Sequence, residues 1–177
     1  MVWLKNLVLK MKTNSLYLHI PFCEQICAYC DFCKVFYNEH QADDYLAVLK
    51  HELQALNITE PLKTIYIGGG TPSSLNDEQL EWLMDIIKPY ISSETKEVSI
   101  EVNPESIDYY KLDILKRGGV SRLSIGVETF NDILLKRLIA SIRVYKLSGL
   151  SIMHAKLVLI IFQLILCMVC LIKRLRI

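Results

Sequence analysis

The chain has 177 residues, 52% of them hydrophobic, which is enough for one domain with a sizeable core. A formal net charge of +1 gives nucleic acid no global attraction. That near-neutral total is lopsided: residues 1–138 hold 14 Lys/Arg against all 19 Asp/Glu, whereas residues 139–177 hold six Lys/Arg and no acid.

Residues 1–14 read as a lead, with Met11 an alternative start to Met1. Ser15–Ile20 is short, apolar and rich in strand formers, and Pro21 ends it. Residues 39–57 read as a helix, because Tyr45, Leu46, Leu49, Leu53 and Leu56 recur at steps of three and four. A second strand over 63–67 runs into Gly68, Gly69 and Gly70. Asn76 is a helix cap with Gln79 as its capping-box partner, and Leu80, Leu83, Met84 and Ile87 form the buried stripe behind it. Residues 97–102 are a third strand, stopped by Asn103 and Pro104. A helix over 106–117 is closed by Gly118 and Gly119. Residues 121–127 are a fourth strand, and Thr129 caps a fourth helix.

Strand and helix alternate about four times with short connections, the pattern of a parallel sheet wrapped by helices. Chemistry in such α/β folds gathers at the carboxyl ends of the strands. The cysteines follow the first strand and the glycines the second, with Glu101 and Glu128 at the ends of the third and fourth.

Four of the six cysteines lie between Cys23 and Cys33. The lead, interrupted by Lys5, Lys10 and Lys12, has no secretory cleavage pattern. A reduced, cytoplasmic protein using cysteine for metal is therefore expected. Cys23, Cys27 and Cys30 have the spacing C-x3-C-x2-C, which suits three corners of a [4Fe-4S] cluster and leaves one iron open. Cys33 as a fourth ligand would instead give a closed cluster or a zinc site, a binding or electron-transfer module. Zinc sites usually draw two separated cysteine pairs together, and here all four thiols share one loop.

The segment LYLHIPFCEQICAYCDF (16–32) closely resembles the cluster loop of the oxygen-independent coproporphyrinogen III oxidase family of the radical S-adenosylmethionine superfamily. IGGGTPS (67–73), SIEVNP (99–104) and RLSIGVETF (122–130) resemble that family's next three motifs, in order. The oxidases proper carry a further cysteine two residues after the third and a longer N-terminal extension, whereas this chain has Phe32 at that position and its motif begins close to the start. Both features resemble the haem-chaperone group of the family instead, and Cys33 then reads as an unligated thiol.

The resemblance implies the N-terminal part of a (β/α) partial barrel. It implies that Cys23, Cys27 and Cys30 bind the cluster and that the open iron chelates S-adenosylmethionine, releasing a 5′-deoxyadenosyl radical on one-electron reduction. Gly69, Gly70, Thr71 and Glu101 would hold that cofactor, with Tyr17 and Tyr29 near it. Glu128 stands where the family usually has glutamine, an acceptor in place of an amide. His19, inside the first motif, is assigned no catalytic role. Implied partners are an electron donor such as a flavodoxin or ferredoxin and haem or a porphyrinogen, in porphyrin metabolism.

The resemblance covers about Leu16 to Leu138 and stops there, so 15–138 is read as a partial radical S-adenosylmethionine domain and 139–177 as a tail outside the family. In the tail, 157–172 is apolar except for Gln163 and lies between Lys156 and Lys173. It reads as an apolar C-terminal helix, as a membrane contact slightly shorter than the ~17–25 residues of a span, or as out-of-frame translation beyond codon 138. Under the last reading the chain is truncated after four strand–helix units, and its enzymatic activity stays open, down to an inactive remnant. Cys167 and Cys170 have redox-motif spacing without the strand–helix context that motif needs.

Overall fold

A computed structural model describes residues 14–27, 30–126 and 161–165. Strands β1 (Ser15–Ile20), β4 (Thr64–Gly69), β5 (Glu97–Val102), β6 (Arg122–Gly126) and β7 (Ile161–Ile165) form one sheet, with β1-β4-β5-β6-β7 as both chain order and spatial order. All four pairings are parallel. Between β1 and β4 come the two-residue strands β2 (Phe22–Cys23) and β3 (Val35–Phe36), which pair with each other in parallel. Stepping one way across a parallel sheet with right-handed crossovers puts every crossover helix on the same face, as in a barrel wall.

The alternation along the strands matches that arrangement. Leu16, Leu18, Ile20, Ile65, Ile67, Val98, Ile100, Val102, Leu123 and Ile125 are buried and belong to one core cluster. That cluster also takes Leu46, Leu49 and Leu53 from α1 (Glu39–Ala55), Leu80, Leu83 and Ile87 from α2 (Asp77–Ile87), and Leu112 and Leu115 from α3 (Tyr109–Arg117). The intervening residues point to the opposite face and are polar, aromatic or glycine: Tyr17 and His19, Tyr66 and Gly68, Ser99 and Glu101, Arg122 and Ser124. Register carries this sorting across the sheet, Tyr17 lying beside Tyr66, Tyr66 beside Ser99, and Ser99 beside Arg122. At the amino end of the polar face, Arg122 Nη1 bridges to Glu97 Oε1 at 2.7 Å.

Helix ends follow the capping chemistry. Asn38 Oδ1 accepts from Gln41 N at 3.1 Å and starts α1. The expected capping box before α2 forms in both directions, with Gln79 N donating to Asn76 Oδ1 (2.8 Å) and Asn76 N to Gln79 Oε1 (3.2 Å). Helix α3 starts three residues later than expected, because Asp108 is its cap and Ser106 belongs to the turn after β5. Strand β4 runs on through Gly68 and Gly69, which pair with His19 and Ile20.

The tail departs from expectation. Residues 161–165 form a strand on β6, not part of an apolar helix. A short apolar run cannot be assigned by periodicity, and the β-branched and aromatic Ile161, Phe162 and Ile165 favour a strand where β6 offers a free edge. Among the described residues no helix is long and apolar enough to cross a membrane. The expected fourth helix from Thr129, and Cys167 and Cys170, lie outside the described residues.

Candidate metal and cofactor site

The cysteine loop leaves β1 at Pro21 and returns as β3, and its two ends are stitched together. Val35 N donates to Pro21 O and Tyr37 N to Cys23 O, both at 2.8 Å. Cys30 N donates to Cys27 O at 3.1 Å, making a turn between those two cysteines. His19 Nε2 reaches the Cys33 carbonyl at 2.9 Å. A carbonyl can only accept, so Nε2 donates this bond, and Nδ1 lies 3.1 Å from Tyr17 Oη. Tyr45 Oη donates to the His19 carbonyl from the α1 side. Both ring nitrogens of His19 thus have hydrogen-bond partners.

Next to this loop the glycine turn is zipped onto the start of the cysteine segment. Gly70 N donates to Ile20 O (2.8 Å) and Thr71 N to Phe22 O (2.7 Å), while Ser74 Oγ donates to Phe22 O (3.1 Å). Two of the glycines are required by their own surroundings. A Cβ on Gly70 would lie 2.8 Å from Phe22 O, and Gly69 has φ +123° with a Cβ position 2.8 Å from the His19 ring. Thr71 Oγ1 lies 3.4 Å from Cys23 Sγ, joining the second motif to the first cysteine.

From the third strand comes Glu101. Its Oε1 accepts from Tyr66 Oη at 2.7 Å and its Oε2 from Gly69 N at 3.1 Å. Tyr66 stacks on Tyr17 with ring centroids 6.0 Å apart. Tyr17, His19, Tyr66, Gly69 and Glu101 thus form one connected group on β1, β4 and β5, running from mid-strand to the carboxyl ends. Beside it, Glu24, Thr71, Ser74, Asn103, Glu105 and Ser106 line a small cleft between the cysteine loop and the turns after β4 and β5.

Protonation follows burial. Burial pushes the Cys23 thiol up, with Cys30 adding to the rise, while the Thr71 hydroxyl and the Lys34 ammonium oppose it. Tyr66 is raised by burial first and then by its bond to the Glu101 carboxylate; Tyr17 is raised by burial and by the Glu101 charge.

Cys23 is buried, Cys27 and Cys30 are half-buried, and Cys33 is exposed. Among the described residues no three His, Cys, Asp or Glu side chains are drawn into a metal-holding group. Cys23, Cys27 and Cys30 are thiols outside any disulfide, on one loop whose ends are already tied, and this soft donor set fits an iron–sulfur group. Of the expected site residues, Tyr17, Gly69, Gly70, Thr71 and Glu101 are brought together around that loop, whereas Tyr29 and Glu128 lie outside the described residues. The sequence reading missed Tyr66, although its even spacing from Gly68 put it on the same strand face. It also missed Lys34, which no motif singles out.

A parallel one-way sheet with a three-cysteine loop after its first strand is the architecture of a radical S-adenosylmethionine protein. The radical SAM superfamily matches residues 17–146, and the chain belongs to it. The heme chaperone HemW of Bacillus subtilis (strain 168) is 50% identical over 130 residues, covering 71% of this chain and 34% of that protein. HemW of Escherichia coli (strain K12) is 38% identical over 136 residues, covering 74% of this chain and 36% of its own length. The oxygen-independent coproporphyrinogen III oxidase of Escherichia coli (strain K12) is 38% identical over 122 residues, covering 66% and 27%. The solved structure of the Escherichia coli coproporphyrinogen III oxidase HemN, a radical SAM enzyme, superposes with a TM-score of 0.76 at 30% identity, covering 86% of this chain and 37% of that one. The chain spans about a third of the length of the HemW relatives it matches.

Proposed function

We propose that this chain carries the cluster- and S-adenosylmethionine-binding portion of a radical SAM protein of haem metabolism, of the haem-chaperone type. The observation that carries the reading is the connection between strand ends: the cysteine loop, the glycine turn and Glu101 are joined through Cys23–Thr71 and Gly69–Glu101. The 50% identity to the Bacillus subtilis HemW, above the 38% to the Escherichia coli oxidase, supports the chaperone type, with haem as the bound partner.

In this reading Cys23, Cys27 and Cys30 hold a [4Fe-4S] cluster, and Tyr17, Tyr29, Gly69, Gly70, Thr71, Glu101 and Glu128 surround S-adenosylmethionine. When bound, the pair supplies one-electron cleavage of a carbon–sulfur bond. The chain's own residues do the positioning. Each cysteine must give up its thiol proton to bind iron, and burial makes Cys23 hold its proton more tightly than an exposed thiol would. Gly69 and Gly70 let the second motif lie directly against the cysteine segment, and the Thr71 hydroxyl beside Cys23 can donate to its sulfur once that is a thiolate. Glu101, fixed by Tyr66 and Gly69, presents an oriented acceptor to hydroxyl or amino groups of a ligand. A cytoplasmic flavodoxin or ferredoxin would supply the electron.

Anaerobic reconstitution with iron and sulfide, followed by reduction and paramagnetic resonance with and without S-adenosylmethionine, tests this. A cubane signal that changes with the cofactor is expected. A cluster signal indifferent to it, or no cluster, would end the reading.

A further inference from the structure

In residues 31–36 the usual sorting of side chains is inverted. Phe32, Val35 and Phe36 are 72%, 45% and 64% exposed, whereas Lys34 is half-buried, the one side chain of the six that is not exposed. Turning a lysine inward costs solvation, so it needs partners. Lys34 Nζ donates to the Cys30 carbonyl and, at 3.1 Å, to the Phe32 carbonyl. Both acceptors are backbone groups of the cysteine loop, one of them on a cluster ligand. The stem therefore folds back over the loop and places a full positive charge beside the last of the three cysteines.

We infer that Lys34 is a positioning residue of this site, whose ammonium closes the loop at Cys30 and stabilises negative charge on the metal group held there. Three thiolates concentrate negative charge, and each electron added increases it, so a fixed nearby cation favours both binding and the reduced state. The inference rests on the cluster reading above. A loop staple alone would explain the two hydrogen bonds but would leave the redox behaviour untouched.

The test compares the full chain with Lys34→Gln, Lys34→Met and Lys34→Arg, each reconstituted anaerobically. Iron per chain and the midpoint potential are read by resonance-monitored titration with dithionite. Loss of the charge should shift the potential negative, lowering the reduced-to-oxidised ratio at fixed poise by up to tenfold, equivalent to about 59 mV for one electron. A fall in bound iron in the Gln and Met variants, restored in the Arg variant, would support the same role. Parental potential and iron content in both neutral variants would overturn it, as would an Arg variant as impaired as the neutral ones. A parent chain that binds no cluster would instead refute the cluster reading, and this inference with it.

Discussion

The backbone N–H of Gly69 donates to Glu101 Oε2 at 3.1 Å, locking the left-handed turn that ends β4 to an inward side chain of β5. Because Tyr66 Oη holds the other oxygen, the carboxylate is fixed at both ends before any ligand arrives. The bond also brings the second and third motifs into one unit, so part of what a substitution there changes is structural.

Glu101→Ala should therefore destabilise the metal-free chain. It strips acceptors from two partly buried donors, at about 1–3 kcal/mol for the pair if water replaces them poorly. Urea unfolding of the apo protein reads this directly and separates it from any loss of cofactor binding. An unchanged midpoint would mean that the two bonds contribute nothing and that Glu101 serves a ligand alone.

Gly69→Ala tests the turn itself. At φ +123° an L residue is strained, and the new methyl would meet the His19 ring at 2.8 Å. A loss of about 2 kcal/mol or more is expected, with the exchange protection of the Cys33 region falling as His19 is displaced from that carbonyl. Parental stability would show that His19 can swing aside at no cost.

Alkaline pH should weaken the metal-free fold. Burial raises the Cys23 thiol and the Tyr17, Tyr37, Tyr45 and Tyr66 phenols. The native state thus keeps these protons where the unfolded chain has begun to lose them. Their contribution is whole below the unfolded values and is lost as pH rises through the folded ones, beginning above about pH 8.5 for the thiol and about pH 10 for the phenols. Urea midpoints measured from neutral pH upward should decline across that range, and Cys23→Ser should remove the earliest part. A flat profile would contradict the direction of these shifts.

Cys33 offers the sharpest test of an open against a closed metal site. Its thiol is exposed, whereas Cys23 is buried and Cys27 and Cys30 are half-buried. Cys33→Ser should keep the iron content of the reconstituted parent, and Cys30→Ser should lose most of it. Equal loss in both variants would point to four thiolate ligands and a site closed to S-adenosylmethionine.

Much of this was legible because the strands and helices repeat on their own periods. The alternation in 97–102 and the steps of three and four in α2 each follow from a few adjacent residues. The pairing of β2 with β3 was not, since two residues carry no period and their partners are thirteen positions apart. Tyr66 was hidden differently. Its strand was read for apolar content, and only the register beside Tyr17 shows that its hydroxyl faces Glu101. Lys34 had no sequence signal, because its inward turn depends on the carbonyls of a loop that forms only when β3 returns to β2. The helix reading of the tail, one of three, failed at 161–165, because a short apolar run satisfies either period until a neighbouring edge selects one.

Strand β7 can be tested through its backbone. In a parallel ladder adjacent residues direct their N–H groups to opposite sides, so only one of Gln163 and Leu164 donates to β6. Gln163→Pro and Leu164→Pro should therefore differ. One removes a ladder bond and should cost about 1–2 kcal/mol, while the other removes an outward N–H and should cost less. In a helix, neighbouring prolines would each break the i to i−4 pattern and cost about 3 kcal/mol alike. Paired urea midpoints decide between the two: an asymmetric pair of variants supports the strand, and an equally damaged pair returns the segment to a helix.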